Sequence, residues 1–278
     1  MLDLRHFIGA LAVSLVASLP LAAQERGAEL LAQLRIADTL SIIRQEGLDD
    51  ADALARSMMD RAPDSHWEDA SARIYRLDRM VDIFEERFVR ALSDVDEARL
   101  DEISAFFESA LGQEVVALEI SAREALLEDS VEEVATAYLE DLRDGDDERL
   151  DLLRQFVEVN DLIESNVVGG MNSTIAFQFG LRDAGALARG LSDEDITAMA
   201  RAREDAIRAD TREWVMSYLA LAYQPLSDAQ MESYNAFAES RAGQVLNRAL
   251  FAAFDEMFTR LSYDLGQAAG RALAAQDL

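Results

Sequence analysis

Beyond residue 23 the chain holds only two prolines, Pro63 and Pro225, and each falls where a helical apolar period stops. Proline removes the amide that an interior helical turn needs, so its scarcity leaves long stretches free to be helix. Ala, Leu, Glu and Arg dominate those stretches, and all are strong helix formers. Leu30, Leu31, Leu34, Ala37, Leu40 and Ile43 recur at spacings of three and four. A longer stripe runs through Val245, Leu246, Ala249, Leu250, Ala253, Phe254, Met257, Phe258, Leu261 and Leu265. No segment sustains period-two alternation, and no Asn-Gly or Asp-Gly turn separates β-branched runs. The expected fold is all-α, a helical array or bundle.

Start and stop signals divide the array. Ser65-His66-Trp67-Glu68 fits a capping box, Ser192 to Asp195 fits one with Asp, and Ser227 to Gln230 fits one with Gln. Asp96 can cap another start, while Gly47, Gly145 and Gly190 are expected stops. The pattern predicts helices near 26–46, 48–60, 66–92, 97–108, 110–143, 147–168, 171–189, 193–222, 228–239 and 241–275.

Residues 1–23 read as a secretory signal peptide. A short head with Arg5 and His6 precedes an uncharged apolar run from Phe7 to Leu19. Pro20 breaks the run, and Ala22-Ala23 offers a cleavage site after Ala23. The run is short for a bilayer crossing, which takes ~20 apolar residues. The mature product is expected in the periplasm or secreted, with no stable membrane insertion.

The chain has no Cys, two His and, in place of Lys, only Arg, so disulfides, thiolate metal sites and Schiff-base lysines are excluded. With His6 in the signal segment, His66 stands alone, and multi-His cages and most His relays go with it. Asp+Glu number 54 against 26 Arg, a net charge of −28. Such a surface repels phosphates, so nucleic acid is not an expected partner. No metal and no cofactor are expected either.

Sliding the chain against itself by 131 positions lays Ala105-Phe106-Phe107-Glu108-Ser109-Ala110-Leu111-Gly112-Gln113 over Ala236-Phe237-Ala238-Glu239-Ser240-Arg241-Ala242-Gly243-Gln244. In each copy a short amphipathic helix buries Leu100, Ile103 and Phe106, or Met231, Tyr234 and Phe237. Ser109 or Ser240 then caps the next helix. Gly112 or Gly243 sits in its first turn, where a missing side chain lets the preceding helix approach. Phe106, Ser109, Gly112, Phe237, Ser240 and Gly243 are the structural repeat motif, and the fold is read as two related helix–corner–helix units. At these residues the chain resembles the exported bacterial family known as domain of unknown function 2059, over about 95–140 and again over about 226–270. Where that family often has Pro after the Ser, this chain has Ala110 and Arg241. The resemblance implies an all-α exported protein and carries no catalytic residues. The expected organisation is a signal peptide at 1–23, an N-terminal helical half at 24–160 and a C-terminal half at 161–278.

Three segments invite chemistry. His66 beside Asp64, Glu68 and Asp69 offers a metal ligand or proton carrier, against an exposed first turn in which Trp67 folds inward; the second is expected. The acidic run Glu140 to Glu148 fails calcium-loop spacing, because Leu142 occupies a ligand position, so an acidic helix start is expected. The least charged stretch, Asn166 to Gly180, offers Asn166, Asn172 and Gln178 as ligand-binding residues, against a helix kink where backbones pack closely. A kink is the expectation, and a ligand site, if present, is sought here first. No catalytic residue is singled out. The leading expectation is a non-catalytic binding or scaffold protein of the cell envelope that engages another envelope protein. The alternatives are a periplasmic small-ligand carrier and a carboxylate-dependent hydrolase.

Overall fold

The computed structural model describes residues 21–59, 64–145, 148–187 and 191–274. These residues fold as helices, with no strand among them: α1 Leu21–Gln33, α2 Ile36–Met59, α3 Ser65–Ile74, α4 Leu77–Leu92, α5 Glu97–Glu108 and α6 Ala110–Ala125. There follow α7 Asp129–Asp144, α8 Glu148–Val159, α9 Leu162–Asp183, α10 Asp193–Arg201, α11 Glu204–Tyr223, α12 Asp228–Glu239 and α13 Arg241–Ala274. The all-α class is thus what the proline-poor, helix-forming composition produces. The signal segment lies outside the described residues except for Leu21 to Ala23, which open α1.

Several boundaries follow their caps. Ser192 and Ser227 form complete capping boxes with Asp195 and Gln230, and the Asp96 carboxylate accepts from the Arg99 amide. α7 ends before Gly145; Gly190 lies outside the described residues. The start of α3 is corrected by one position: Asp64, not Ser65, is the N-cap, its carboxylate accepting from the Trp67 amide at 3.0 Å. A carboxylate is a charged acceptor at the positive end of the helix, which favours it over the hydroxyl.

Gly47 does not stop a helix, and α2 runs through it. A Cβ there would lie 2.2 Å from the Tyr75 ring, so the glycine serves close approach by α3. Other predicted helices are divided where no glycine or proline gives warning. The first breaks at Leu34-Arg35 and the sixth at Asn160-Asp161, with Arg35 and Asp161 both left-handed (φ 50° and 49°). Breaks at Tyr75-Arg76, Leu126 to Glu128 and Ala202-Arg203 likewise cut three long predicted helices. Conversely, the break predicted at 169–170 is absent, and α9 runs through Gly169 and Gly170. It ends instead in a Schellman turn: Gly185 takes φ +83°, and the Ala186 amide reaches back to Leu181 O at 3.0 Å.

Most of the buried apolar side chains form one cluster from Leu30 to Ala269. Its axis is α13, which packs most extensively on α9, then on α4, and also meets α2, α3, α5 and α12. The α9–α13 crossing is close because small residues face each other. A Cβ on Gly180 would stand 2.1 Å from Tyr263 O, and one on Gly266 would stand 2.1 Å from Phe177 O. α13 therefore buries Leu246, Ala249, Ala253, Met257, Leu261 and Leu265 on one face and leaves a second apolar face only partly covered.

Candidate ligand cleft

The corner between α5 and α6 and that between α12 and α13 have one geometry. Ser109 (φ −68°, ψ 159°) and Ser240 (φ −63°, ψ 160°) are extended residues joining helix to helix. Each hydroxyl oxygen accepts from the glycine amide three residues on, at 3.0 Å in both. A Cβ on Gly112 would meet Phe106 O at 2.1 Å, and one on Gly243 would meet Phe237 O at 2.2 Å, so both first turns sit against the preceding backbone. The two corners also touch, with the Phe106 and Phe237 rings stacked at 3.8 Å and 6°. That contact leaves both rings half-buried, while Leu100, Ile103 and Phe107 supply the buried stripe of α5.

An outer cleft of about 480 Å³ opens beside the second half of this assembly. α13 supplies Leu250, Phe251, Phe254 and Phe258, α2 supplies Ile43 and α11 supplies Trp214. α9 lines it with Ser165, Asn166, Gly169, Gly170 and Ser173, where the glycines leave open room. Arg123 of α6 pairs with Glu46 at 2.6 Å and stands over the Trp214 ring at 5.9 Å. Trp214 remains 40% exposed at this rim, which is unusual for so large an apolar group.

Asn247 and Leu250 are shared with a second pocket of about 220 Å³, called the inner cavity because buried side chains such as Tyr223, Tyr234 and Leu246 line it, although it opens to solvent about as much as the outer cleft. Here Glu119 of α6 projects among aromatic side chains. Tyr223 donates to Glu119 Oε1 at 2.6 Å and Tyr234 to the same oxygen at 3.0 Å, while Tyr218 donates to the Glu119 backbone carbonyl at 3.0 Å. Burial pushes the Glu119 carboxyl above the usual carboxylate range, and the two tyrosine hydrogen bonds pull it only part of the way back. Burial and the neighbouring carboxylate likewise hold the Tyr223 and Tyr234 hydroxyls well above their ordinary values. The wall is pinned by α13, whose Gln244 and Asn247 donate to the carbonyls of Val159 and Asn160 at the end of α8.

Of the residues named from sequence, Asn166 lines the outer cleft, although its Nδ2 donates to Leu162 O at 2.7 Å. Asn172 is turned to Asp255, donating to Oδ1 at 2.9 Å, and so fixes a wall residue without lining the cleft. Gln178 lines neither space. His66 is exposed on the first turn of α3 and Trp67 is 3% exposed in the core, the arrangement expected of them. The sequence reading gave no role to Glu119, Tyr218, Tyr223 or Phe251, and it placed Tyr234, Leu250, Phe254 and Phe258 in the core rather than along an internal space. Glu119 was visible as an acid on an apolar face, since Val115, Val116, Ile120 and Ala122 around it are buried. Phe251, Phe254 and Phe258 were visible at spacings of three and four, on a face apart from the buried stripe. Among the described residues no group of three or more His, Asp or Glu is placed to hold a metal ion.

Residues 78–141, from α4 through most of α7, match the model of a bacterial family described as "Uncharacterized protein conserved in bacteria (DUF2059)". This is the family resembled at Phe106, Ser109 and Gly112; the match covers the first corner and does not extend to the second. No curated protein and no solved structure matches the chain. No helix of the described residues is long and apolar enough to cross a membrane.

Proposed function

We propose that this protein is a non-catalytic binding protein of the bacterial cell envelope whose cargo is a small amphiphilic molecule. The observation that carries this reading is the outer cleft: about 480 Å³, walled by Phe251, Phe254, Phe258, Leu250 and Trp214, with Ser165, Asn166, Ser173 and Asn247 as neutral polar groups and Arg123 and Asp255 as charged ones, each already engaged, by Glu46 and by Asn172. Concave, largely apolar sites with a handful of placed polar groups are how small ligands are usually held. The carrier reading therefore has more support than a scaffold that engages a protein through a helical surface. A paired-carboxylate hydrolase has less, because Glu119 and Asp255 line different spaces and Asp255 is held by Asn172. Export rests on the head, apolar core and small-residue site within residues 1–23.

The same proposal includes a duplicated architecture. Its support is the shared corner geometry at an offset of 131 positions and the order of helix lengths on either side of α7. The first six helices have 13, 24, 10, 16, 12 and 16 residues, and the last six have 12, 22, 9, 20, 12 and 34. A left-handed residue, Arg35 or Asp161, precedes the second helix of each series. This ordering supports a reading in which α7 is the connector between the two series.

Native mass spectrometry of the protein isolated gently from its own envelope fraction tests the carrier reading. The expected result is a small-molecule adduct on the wild type that is missing from Gly169→Leu. The substitution fills open cleft, since a Cβ at Gly169 meets only Asp255 Oδ1 at 3.9 Å. A bare chain, or a co-purifying polypeptide retained equally by both proteins, would overturn it.

A further inference from the structure

The inner cavity differs from the outer cleft in a way that identifies its occupant. Its walls carry Phe107, Phe156, Phe237, Tyr218, Tyr223 and Tyr234, and among the described residues Glu119 is the only charged one lining it. Aromatic faces are negative at their centres and attract cations, most strongly where water is excluded. Both tyrosine hydrogen bonds to the carboxyl fall on Oε1, which leaves Oε2 as the oxygen an occupant can meet. The space is also the right kind. An apolar cavity of roughly 150 Å³ takes up benzene, and this one, at about 220 Å³, has room for a compact organic group. A bare metal ion is a poor fit, because hard cations need six or more oxygen ligands and rings supply none.

We infer that the inner cavity seats an organic ammonium group, a methylated or alkylated amine, whose alkyl body lies along the outer cleft; the inference rests on the binding-cleft reading above. Leu250 and Asn247 line both spaces, so the two adjoin at these residues. The net charge of −28 concentrates cations at the surface and favours their entry over that of anions.

Ammonium binding is coupled to a proton. In the empty cavity burial favours the neutral Glu119 carboxyl. A cation beside it favours the carboxylate, so the ligand enters as a proton leaves and affinity rises with pH until Glu119 is ionised in the free protein. The titratable groups facing Glu119 are Tyr218 and Tyr223 from α11 and Tyr234 from α12, all held in the neutral phenol form by burial. Arg123 on its own helix and Glu46 from α2 form an ion pair that acts on Tyr218.

Isothermal titration of the mature chain with octyltrimethylammonium and with octanol, at mildly acidic and mildly alkaline pH, tests this. The expected result is ammonium binding that is stronger than octanol binding, tightens with pH and releases a proton, as read from buffers of different ionisation heat. Glu119→Gln should weaken the ammonium by roughly thirtyfold or more, remove its pH dependence and leave octanol unchanged. If both probes bind alike, with no pH dependence, the ammonium assignment is overturned while the binding cleft stands. If neither binds, both fall. Should Glu119→Gln fail to fold, the wild-type comparison across pH decides alone, and Tyr234→Phe, which keeps the ring and removes one hydrogen bond to Oε1, gives a second variant expected to shift the pH profile.

Discussion

The corner at Ser109 and the corner at Ser240 share backbone angles, cap distance and glycine contact, yet the helices leaving them present different faces. Where α13 carries Leu250, α6 carries Glu119, and where α5 carries Ile103, α12 carries Tyr234, each pair lying 131 positions apart. Glu119, Tyr234 and Leu250 line the inner cavity. The residues that agree between the corners make turns and close backbone contacts, and of these Phe237 and Gly243 also border the internal space; its carboxylate and its Tyr234 hydroxyl come from positions that differ.

This comparison can be broken most forcefully at the glycines. Gly112→Ala and Gly243→Ala each drive a methyl into a backbone carbonyl about 2 Å away, and each is expected to cost about 3 kcal/mol, or roughly 6–12 °C in Tm by thermal denaturation. A large loss at one corner with none at the other would refute their equivalence. Next comes Glu119→Gln, for which the other corner has no counterpart. Because the folded state raises this carboxyl's pKa, it holds a proton that the unfolded chain gives up sooner. Stability is therefore fullest at acid pH and declines as pH rises from the usual carboxylate range through the raised value. Thermal scans across pH should show that decline in the wild type and lose this part of it in the glutamine variant. Ser109→Ala and Ser240→Ala should each cost about 1 kcal/mol in urea denaturation, matching within a few tenths. The smallest effect is expected at Gly169→Leu, which should be neutral or stabilise by up to about 1 kcal/mol, since it replaces a mid-helix glycine where a Cβ makes only an ordinary contact, with Asp255 Oδ1 at 3.9 Å.

The helical class and the corners were legible because local rules decide them. A serine before a glycine three residues on, preceded by an amphipathic helix, closes the same way wherever it occurs. α5 and α12 accordingly span the predicted 97–108 and 228–239. The breaks at Arg35 and Asp161 were not legible, because neither glycine nor proline marks them and each is imposed by packing. Asn247 and Gln244, for instance, reach from α13 to take up the carbonyls at the end of α8. Gly47 misled for the complementary reason: its role is set by Tyr75, a residue 28 positions away, counting from 47 to 75. The candidate site was half legible. The uncharged stretch at 166–180 does border the outer cleft through Asn166, Gly169, Gly170 and Ser173. Asn172 does not, because its side chain is turned to Asp255 of α13, and Gln178 lies on another part of the helix circumference.

The central claim is that the outer cleft takes up a small amphiphile, and Trp214 at its rim can report this directly. The chain has two tryptophans, so Trp67→Phe leaves Trp214 as the sole emitter; octyltrimethylammonium would then be titrated in while its fluorescence is followed. The account predicts a saturable, one-to-one shift to shorter wavelength that Gly169→Leu abolishes. An unchanged or non-saturating signal, or one identical in the filled-cleft variant, would contradict it.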